Sequence, residues 1–275
     1  MKTDILGTPA TSATSATPAG PVLEARHLAK SYGTGSAATT ILSDIDFSVE
    51  AGEFVSVVGP SGCGKTTLLK CLAGLMPATE GSVVFEGETI TRPPAKMTVV
   101  FQDYSRSLLP WMTVERNIEL PLRKRLPKQE RRALVNEALE SVGLGGAGHK
   151  FPWQMSGGMQ QRAAIARALA YQPDVMLMDE PFAAVDAQTR IELEDLMLEV
   201  QRKYRTTVVF VTHDIDEAIY VASRVIVLSG SPTSVREVLP VDLPWPRDQV
   251  ETKALREFSD LRGHLFGLIK AASTR

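Results

Sequence analysis

Short apolar runs alternate along the chain with segments in which apolar residues recur every three or four positions. The runs predict strands and the spaced segments predict helices. The strand candidates are Ile45–Val49, Phe54–Val58, Ser82–Phe85, Thr98–Phe101, Val175–Met178, Thr207–Val211 and Val225–Leu228. The helix candidates are Lys65–Ala73, Lys128–Val142, Met159–Tyr171, Gln188–Tyr204 and Ile215–Ala222. Alternating strands and helices, with several strands apolar throughout, predict an α/β fold on a mostly parallel sheet covered on both faces.

Several stretches depart from this alternation. Residues 45–58 read as two strands joined by a turn at Ala51-Gly52, and no convincing strand occurs between Leu108 and Tyr171, which predicts a helical subdomain over about 104–172. Residues 1–21 carry almost no large apolar side chains and are expected to form a disordered tail. Residues 231–275 are expected to form a loop and then a helix with an apolar face.

Composition places the chain among ordinary globular proteins. Its 275 residues are 44% hydrophobic and 23% charged, which excludes a fibrous or wholly disordered protein. The net charge of -2 shows no basic excess, so a nucleic-acid partner is not expected. No apolar run reaches the roughly 18 residues of a membrane span, and the first residues do not resemble a signal peptide. We therefore expect the chain to stay in the cytosol.

The two cysteines, Cys63 and Cys71, are predicted to be free thiols. If both lay on one helix, a rise of about 1.5 Å per residue would separate them by about 12 Å. That distance exceeds the reach of a disulfide, which is about 7 Å between Cα atoms.

A phosphate-binding loop is predicted between a strand and a helix. Its sequence, Gly-Pro-Ser-Gly-Cys-Gly-Lys-Thr, fits the pattern G-x-x-x-x-G-K-[ST] in full. The glycines allow backbone N–H groups to point at phosphate oxygens, Lys65 supplies a positive charge, and the Thr66 hydroxyl is a ligand for Mg²⁺. The predicted nucleotide-binding residues are Gly59, Pro60, Ser61, Gly62, Cys63, Gly64, Lys65, Thr66 and Thr67.

Two carboxylates end the apolar run Val175–Met178. A buried strand that delivers Asp179 to its carboxyl end would place a Mg²⁺ ligand beside the phosphate loop. Glu180 is placed to polarise a water, a contribution worth about 10²- to 10⁴-fold in rate. Thr212-His213-Asp214 ends another apolar run, so His213 is expected at the same edge of the sheet.

Ser156, Gly157 and Gly158 precede an Ala-rich helix. Ser156 is a suitable N-cap, and the two glycines leave the N–H groups of the helix open to an anion. Alone, this tripeptide is a weak signal.

Taken together, these residues resemble the ATP-binding cassette (ABC) ATPases over about Val22 to Leu228. The resemblance implies a P-loop NTPase core with a mostly parallel sheet, an antiparallel β subdomain and an α-helical signature subdomain, within an ATPase domain spanning 22–230. It implies ATP and Mg²⁺ as cofactors. It also implies a head-to-tail dimer, in which the phosphate loop of one copy and the signature of the other, Ser156 to Met159, hold each nucleotide.

The family's roles carry over to matching positions. The resemblance implies that Tyr32 stacks on adenine, that Gln102 reaches Mg²⁺ and the attacking water, and that His213 contacts the γ-phosphate. It implies that Asp186 lies at the dimer interface, and that Thr66, Gln102 and Asp179 hold the metal. Met155 and Met159 stand where the signature usually has Leu and Gln.

Residues 102–111 and 241–248 are similar to the ATPases of nitrate, taurine and aliphatic sulfonate importers. This resemblance implies a permease partner, indirect dependence on an extracytoplasmic solute-binding protein, and a peripheral location on the cytoplasmic face of the inner membrane. Leu108, Leu109 and Trp111 either line a groove for a permease helix or belong to the core. The sequence does not select the solute.

Two other functions remain as alternatives. A soluble cassette ATPase without a permease is one, although repair members of the family carry a long coiled coil between the glutamine and the signature. The 54 positions from Gln102 to Ser156 are too few for one. A non-hydrolysing, nucleotide-gated subunit is the other, and it would be expected to lack the carboxylate of Glu180 or the imidazole of His213.

Overall fold

The structure, a computed structural model, describes residues 20–33, 35, 38–103 and 107–273. The predicted tail over 1–21 therefore lies outside the described residues except for its last two positions.

One of the two sheets is antiparallel and has the strand order β2-β1-β4-β5. Its strands are β1 (Leu23–Tyr32), β2 (Thr39–Val49), β4 (Glu80–Phe85) and β5 (Glu88–Thr89). Strand β1 was not predicted from the sequence, because its buried and exposed positions do not alternate regularly. The two strands predicted on either side of Ala51-Gly52, and the turn between them, all occur, but the two strands belong to different sheets.

The second sheet has six strands in the order β10-β9-β3-β8-β7-β6. These are β3 (Phe54–Val58), β6 (Met97–Val100), β7 (Val175–Asp179), β8 (Thr207–Val211), β9 (Arg224–Leu228) and β10 (Val235–Pro240). All neighbours pair in parallel except β9 and β10. The predicted mostly parallel sheet is confirmed, and the carboxyl ends of β3, β7 and β8 meet at one edge.

Eight α-helices are described. They are α1 (Lys65–Leu72), α2 (Val114–Glu119), α3 (Lys128–Ser141), α4 (Gly157–Ala170), α5 (Ala187–Tyr204), α6 (Ile215–Val221), α7 (Glu251–Ala254) and α8 (Arg256–Ser273). The five predicted helices all occur, with ends within two residues of the prediction. Between β6 and β7, the described residues contain helices and no strand, as expected.

The six-stranded sheet separates two apolar clusters. Side chains such as Met176 and Met178 of β7 pack with the helices α2 to α6, and their neighbour Leu177 packs on the other face with α1 and the antiparallel sheet. Period-2 alternation along a strand sends successive side chains to opposite faces. Both faces of the central strands β3, β7 and β8 are therefore buried, which explains why these strands are mostly apolar.

The segment after β10 packs back onto α5 and α6. The half-buried Arg247 guanidinium donates to the carbonyls of Ile219, Tyr220 and Ala222 at the end of α6. Arg262 of α8 forms a two-bond ion pair with Asp216 of α6, with N···O distances of 2.6 and 2.7 Å. A cation at the last carbonyls of a helix is favourable, because those groups lack intrahelical partners.

No helix in the described ranges is long and apolar enough to cross a bilayer.

Candidate nucleotide site

The predicted phosphate loop lines a cavity of about 420 Å³. The cavity is formed by the loop, by the first turn of α1 and by two residues at the ends of β7 and β8. Its lining residues are Ser61, Gly62, Gly64, Lys65, Thr66, Thr67, Glu180 and His213. The structure therefore brings the loop and two of the predicted catalytic residues to one place.

Gly64 adopts a backbone conformation that other residues resist. Its φ is +107°, and a Cβ at this position would lie 2.7 Å from Cγ2 of Ile41. Lys65 is buried, and its Nζ donates to the carbonyls of Gly59 at 3.0 Å and Pro60 at 3.1 Å. The phosphate loop therefore surrounds the ammonium group of Lys65. A positive charge thus lies beside the N terminus of α1, where an anion is favoured.

Cys63 lies behind the loop rather than in the cavity. Its carbonyl accepts a hydrogen bond from the Thr233 hydroxyl, and burial raises the pKa of its thiol. Cys71 lies on α1, and both cysteines are free, as predicted. The reasoning from a shared helix was wrong, because α1 begins at Lys65, after Cys63.

Asp179 has the properties of a metal ligand. It is 4% exposed, its Oδ1 has no hydrogen-bond partner, and burial raises the pKa of its carboxyl while the Thr66 hydroxyl and two lysines oppose the rise. An unpartnered buried carboxylate oxygen beside a hydroxyl fits Mg²⁺, which prefers oxygen ligands and takes few from the protein. Within the described residues no three His, Cys, Asp or Glu side chains converge on a metal site.

Glu180 follows β7 in a left-handed backbone conformation, with φ +43°. Its N–H donates to the carbonyl of Val211 at 2.8 Å, which ties it to the end of β8. Non-glycine residues in this region are uncommon and cost about 1 to 3 kcal/mol. This turn directs the chain away from the sheet immediately after the two carboxylates.

One oxygen of Glu180 has two partners. Oε2 accepts from Gln102 Nε2 at 3.3 Å and lies 3.1 Å from Nδ1 of His213. The His213 side chain is mostly exposed, whereas the Glu180 side chain is about one-fifth exposed. The three residues predicted to be catalytic thus form one hydrogen-bonded group at the cavity.

A second group forms at the N termini of α4 and α5. Ser156 caps α4, and its Oγ accepts from the N–H of Met159 at 3.3 Å, so Met159 leaves the cap intact. Asp186 caps α5 and accepts two hydrogen bonds from Thr189, at 3.0 Å from the N–H and at 2.7 Å from the hydroxyl. Neither Asp186 nor the segment Ser156 to Met159 lines the cavity described above.

Tyr32 is exposed and lies outside the cavity lining, with its hydroxyl 3.1 Å from Sδ of Met76. The sequence left open whether Leu108, Leu109 and Trp111 line a groove or belong to the core. Leu108 is in the core, and Trp111 is 69% exposed.

Sequence reasoning missed three residues that hold these groups in place. Thr189 fixes Asp186, while Arg190 and Glu217 contact the segment that carries His213. Thr189 stands three residues after an Asp N-cap, a spacing that could have been read from the sequence. Glu217 stands three residues after the N-cap Asp214, the spacing of an ordinary capping box. Its carboxylate instead accepts a hydrogen bond from the Thr212 hydroxyl.

Comparison with known proteins gives a consistent result. Residues 42–183 match the ABC transporter family. An aliphatic sulfonates import ATP-binding protein of Bacillus licheniformis is 44% identical over 83% of this chain and 91% of that protein. A bicarbonate transport ATP-binding protein of Synechococcus elongatus is 45% identical over 82% of this chain and 34% of that protein.

A solved structure has the same fold. It is a dimeric ATP-binding cassette in a post-hydrolysis state, bound to ADP and Pi. Its TM-score is 0.68 at 32% identity, and the match covers 80% of this chain and 98% of that chain.

Proposed function

The chain belongs to the ABC transporter family and is an ATPase of the cassette type, and from that premise we propose that it drives uptake of a small solute by hydrolysing ATP at Glu180. One observation carries the proposal. The Glu180 carboxylate lies at the phosphate-loop cavity, bonded to Gln102 and His213. A carboxylate held there can accept a proton from a water that attacks the γ-phosphate.

Each residue at the cavity has a separate role in the proposed reaction. Lys65 and the N terminus of α1 bind the phosphates, and Glu180 orients and deprotonates the water. His213 orients Glu180 and contacts the γ-phosphate. Gln102 links the same carboxylate to the segment that leads into the helical part of the chain. Catalysis then consists mainly of positioning and charge stabilisation, as in other phosphoryl transfers.

Thr66, Asp179 and Gln102 are the residues that would hold Mg²⁺. The ion supplies neutralisation of charge on the phosphate oxygens when it is bound. Supporting this assignment, Oδ1 of Asp179 is buried without a partner beside the Thr66 hydroxyl.

The active unit is proposed to be a head-to-tail dimer. Ser156, Gly158 and Asp186 belong to a group separate from the phosphate loop of the same chain. If a second copy brings this group to the cavity, each nucleotide gains a helix N terminus and loses contact with water. The dimeric state of the similar solved cassette supports this arrangement. ATP would then shift the population toward the closed dimer.

The partner is proposed to be a membrane permease fed by an extracytoplasmic binding protein, with this chain at the cytoplasmic face of the inner membrane. The names of the relatives, sulfonate and bicarbonate transport proteins, favour a small organic or inorganic anion as the solute. Exposed Trp111 and Trp153, on the helical part, are the aromatic side chains best placed for such a contact.

The test compares Glu180→Gln with Glu192→Gln, an exposed position on α5. We expect the first variant to bind ATP, to accumulate as a dimer in size-exclusion chromatography with light scattering, and to release phosphate about 10²- to 10⁴-fold more slowly. The control should match the wild type. Hydrolysis by Glu180→Gln at the wild-type rate would overturn the assignment. Failure of the wild type to co-purify with any permease would favour the soluble alternative.

A further inference from the structure

Glu217 is a buried carboxylate that the catalytic scheme above does not use. It lies in the first turn of α6 and is 4% exposed. Its Oε2 accepts from the Thr212 hydroxyl at 2.6 Å, and its Oε1 lies 3.3 Å from Nε of Arg190. Burial of a charged group is costly unless the group has partners, so these two contacts determine where the carboxylate can lie.

The contact with Thr212 fixes the backbone on both sides of His213. The Thr212 hydroxyl donates to Glu217 and accepts from the N–H of Asp214 at 3.0 Å. The N–H of Thr212 donates to the carbonyl of Val57 at 3.1 Å. The residues before and after His213 are therefore anchored to one hydroxyl, while the imidazole itself extends to Glu180.

Arg190 joins this anchor to α5. Its Nη1 lies 3.5 Å from Oδ2 of Asp214, and its Nε faces Glu217. Its N–H donates to the carbonyl of Asp186 at 2.9 Å, in the first turn of α5. One guanidinium thus connects the segment that carries His213 to the turn that begins at Asp186.

The groups around Glu217 act on the pKa of its carboxyl in opposite directions. Burial raises the pKa of its carboxyl to about 7, with Asp214 and Glu194 acting in the same direction and the contacts with Thr212 and Arg190 opposing them. Glu194 is 2% exposed but bonds instead to Lys253 and Gln249, and it does not contact the Thr212 hydroxyl. It is a matched buried carboxylate outside the anchor.

We propose that Glu217, held by Arg190, is a positioning residue that fixes His213 against Glu180 through the Thr212 hydroxyl. The inference rests on the proposed role of His213 and extends it to residues that never touch the nucleotide. Small displacements of a catalytic group cost up to about 10²-fold in rate, which sets the size of the expected effect.

The first readout is independent of activity. In protein labelled at its four histidines, the imidazole resonances are assigned by substitution. We expect Glu217→Ala and Thr212→Val to shift the His213 resonance and to leave those of His27, His149 and His264 in place. Glu194→Gln should shift none of the four. An unmoved His213 resonance in both anchor variants would overturn the proposal.

The second readout is steady-state kinetics of the purified chain. We expect Glu217→Ala to lower kcat about 10- to 100-fold with KM changed less than about twofold. Glu217→Gln, which keeps an acceptor for the Thr212 hydroxyl, should recover most of the loss. Glu194→Gln should lose stability without a matching loss of kcat. Equal losses of kcat at positions 217 and 194 would indicate a merely structural role.

Failure of this proposal is distinguishable from failure of the proposed function. If His213→Ala hydrolyses ATP at the wild-type rate, the role of His213 is wrong. If His213→Ala is inactive while Glu217→Ala and Thr212→Val keep both the rate and the resonance, only the positioning role is wrong. Thr212→Val keeps the side-chain shape and serves if Glu217→Ala does not fold.

Discussion

A Cβ on Gly158 would lie 2.4 Å from Cγ2 of Thr189. Real Cβ atoms essentially never approach another heavy atom this closely, so α4 and α5 can meet here only because position 158 lacks a side chain. Thr189 also holds the Asp186 carboxylate, which links the start of α4 to the start of α5. Gly158 therefore serves the packing of α4 against α5, in addition to its proposed role in anion binding.

Gly158→Ala is predicted to displace Thr189 and, with it, Asp186. Because this group lies apart from the phosphate loop, ATP affinity should change less than about threefold. Dimer formation and hydrolysis should fall at least about tenfold, since overpacking costs about 1 to 3 kcal/mol. The measurements are nucleotide binding by fluorescence and phosphate release.

Thr189→Ser provides a rescue, because it removes Cγ2 and keeps the hydroxyl that bonds to Asp186. The double variant should regain most of the activity lost in Gly158→Ala. Gly146→Ala, where the added Cβ would meet nothing within 4 Å, is the control. Absence of rescue would show that Gly158→Ala loses activity for a reason other than the contact with Thr189.

Asp179→Asn is predicted to separate stability from metal binding. Burial opposes the charged form of this carboxyl, so the nucleotide-free variant should unfold at the same temperature as the wild type or higher. The wild type should gain further stability when Mg²⁺ is added to ATP, since a ligand that binds only the folded state stabilises it. The variant should lose that gain. An undiminished Mg²⁺ effect on its unfolding temperature would argue against Asp179 as a ligand.

Glu217→Gln is predicted to change how stability depends on pH. The folded pKa of about 7 lies above the ordinary 4.5, so the stabilising contribution is fully present below pH 4.5 and is lost as the pH rises through about 7. Across that interval the wild type should lose about 3 kcal/mol of unfolding free energy relative to the variant. Urea unfolding at a series of pH values measures this. A difference that does not change with pH would contradict the shifted pKa.

Tyr32→Ala is predicted to weaken ATP binding about 5- to 150-fold, because stacking of an aromatic ring on a base contributes about 1 to 3 kcal/mol. Tyr32→Phe should bind normally, since the hydroxyl bonds to Sδ of Met76 rather than to a residue of the cavity. Binding of tripolyphosphate, which has no base, should be equal in all three proteins. Unchanged ATP affinity in Tyr32→Ala would exclude the stacking role.

The sequence predicted those elements whose own residues carry the signal. Strands β7 and β8 are apolar at four of their five positions because both faces are buried, and the phosphate loop has a fixed spacing of glycines and Lys65. Glu180 and His213 were expected at one edge of the sheet because the carboxyl ends of parallel strands meet there. In the structure, Oε2 of Glu180 lies 3.1 Å from Nδ1 of His213.

Features that depend on residues distant in the chain could not be predicted from the sequence. The irregular burial of β1 is set by its pairing with β2 and β4, which are remote from each other in the chain. Glu217 resembles a helix cap locally, and only the packing of α5 beside α6 supplies Arg190. The turn at residues 51–52 was correctly located, but nothing local indicates that the chain changes sheets there.

The left-handed backbone of Glu180 sets a condition on engineering this protein. Glycine or asparagine would adopt a φ of +43° more readily than glutamate does. A library screened for thermal tolerance alone would therefore enrich replacements at position 180 that fold well but lack the carboxylate proposed to deprotonate the attacking water. Directed evolution of this chain needs a screen for ATP hydrolysis in every round, because heat resistance and activity favour different residues at position 180.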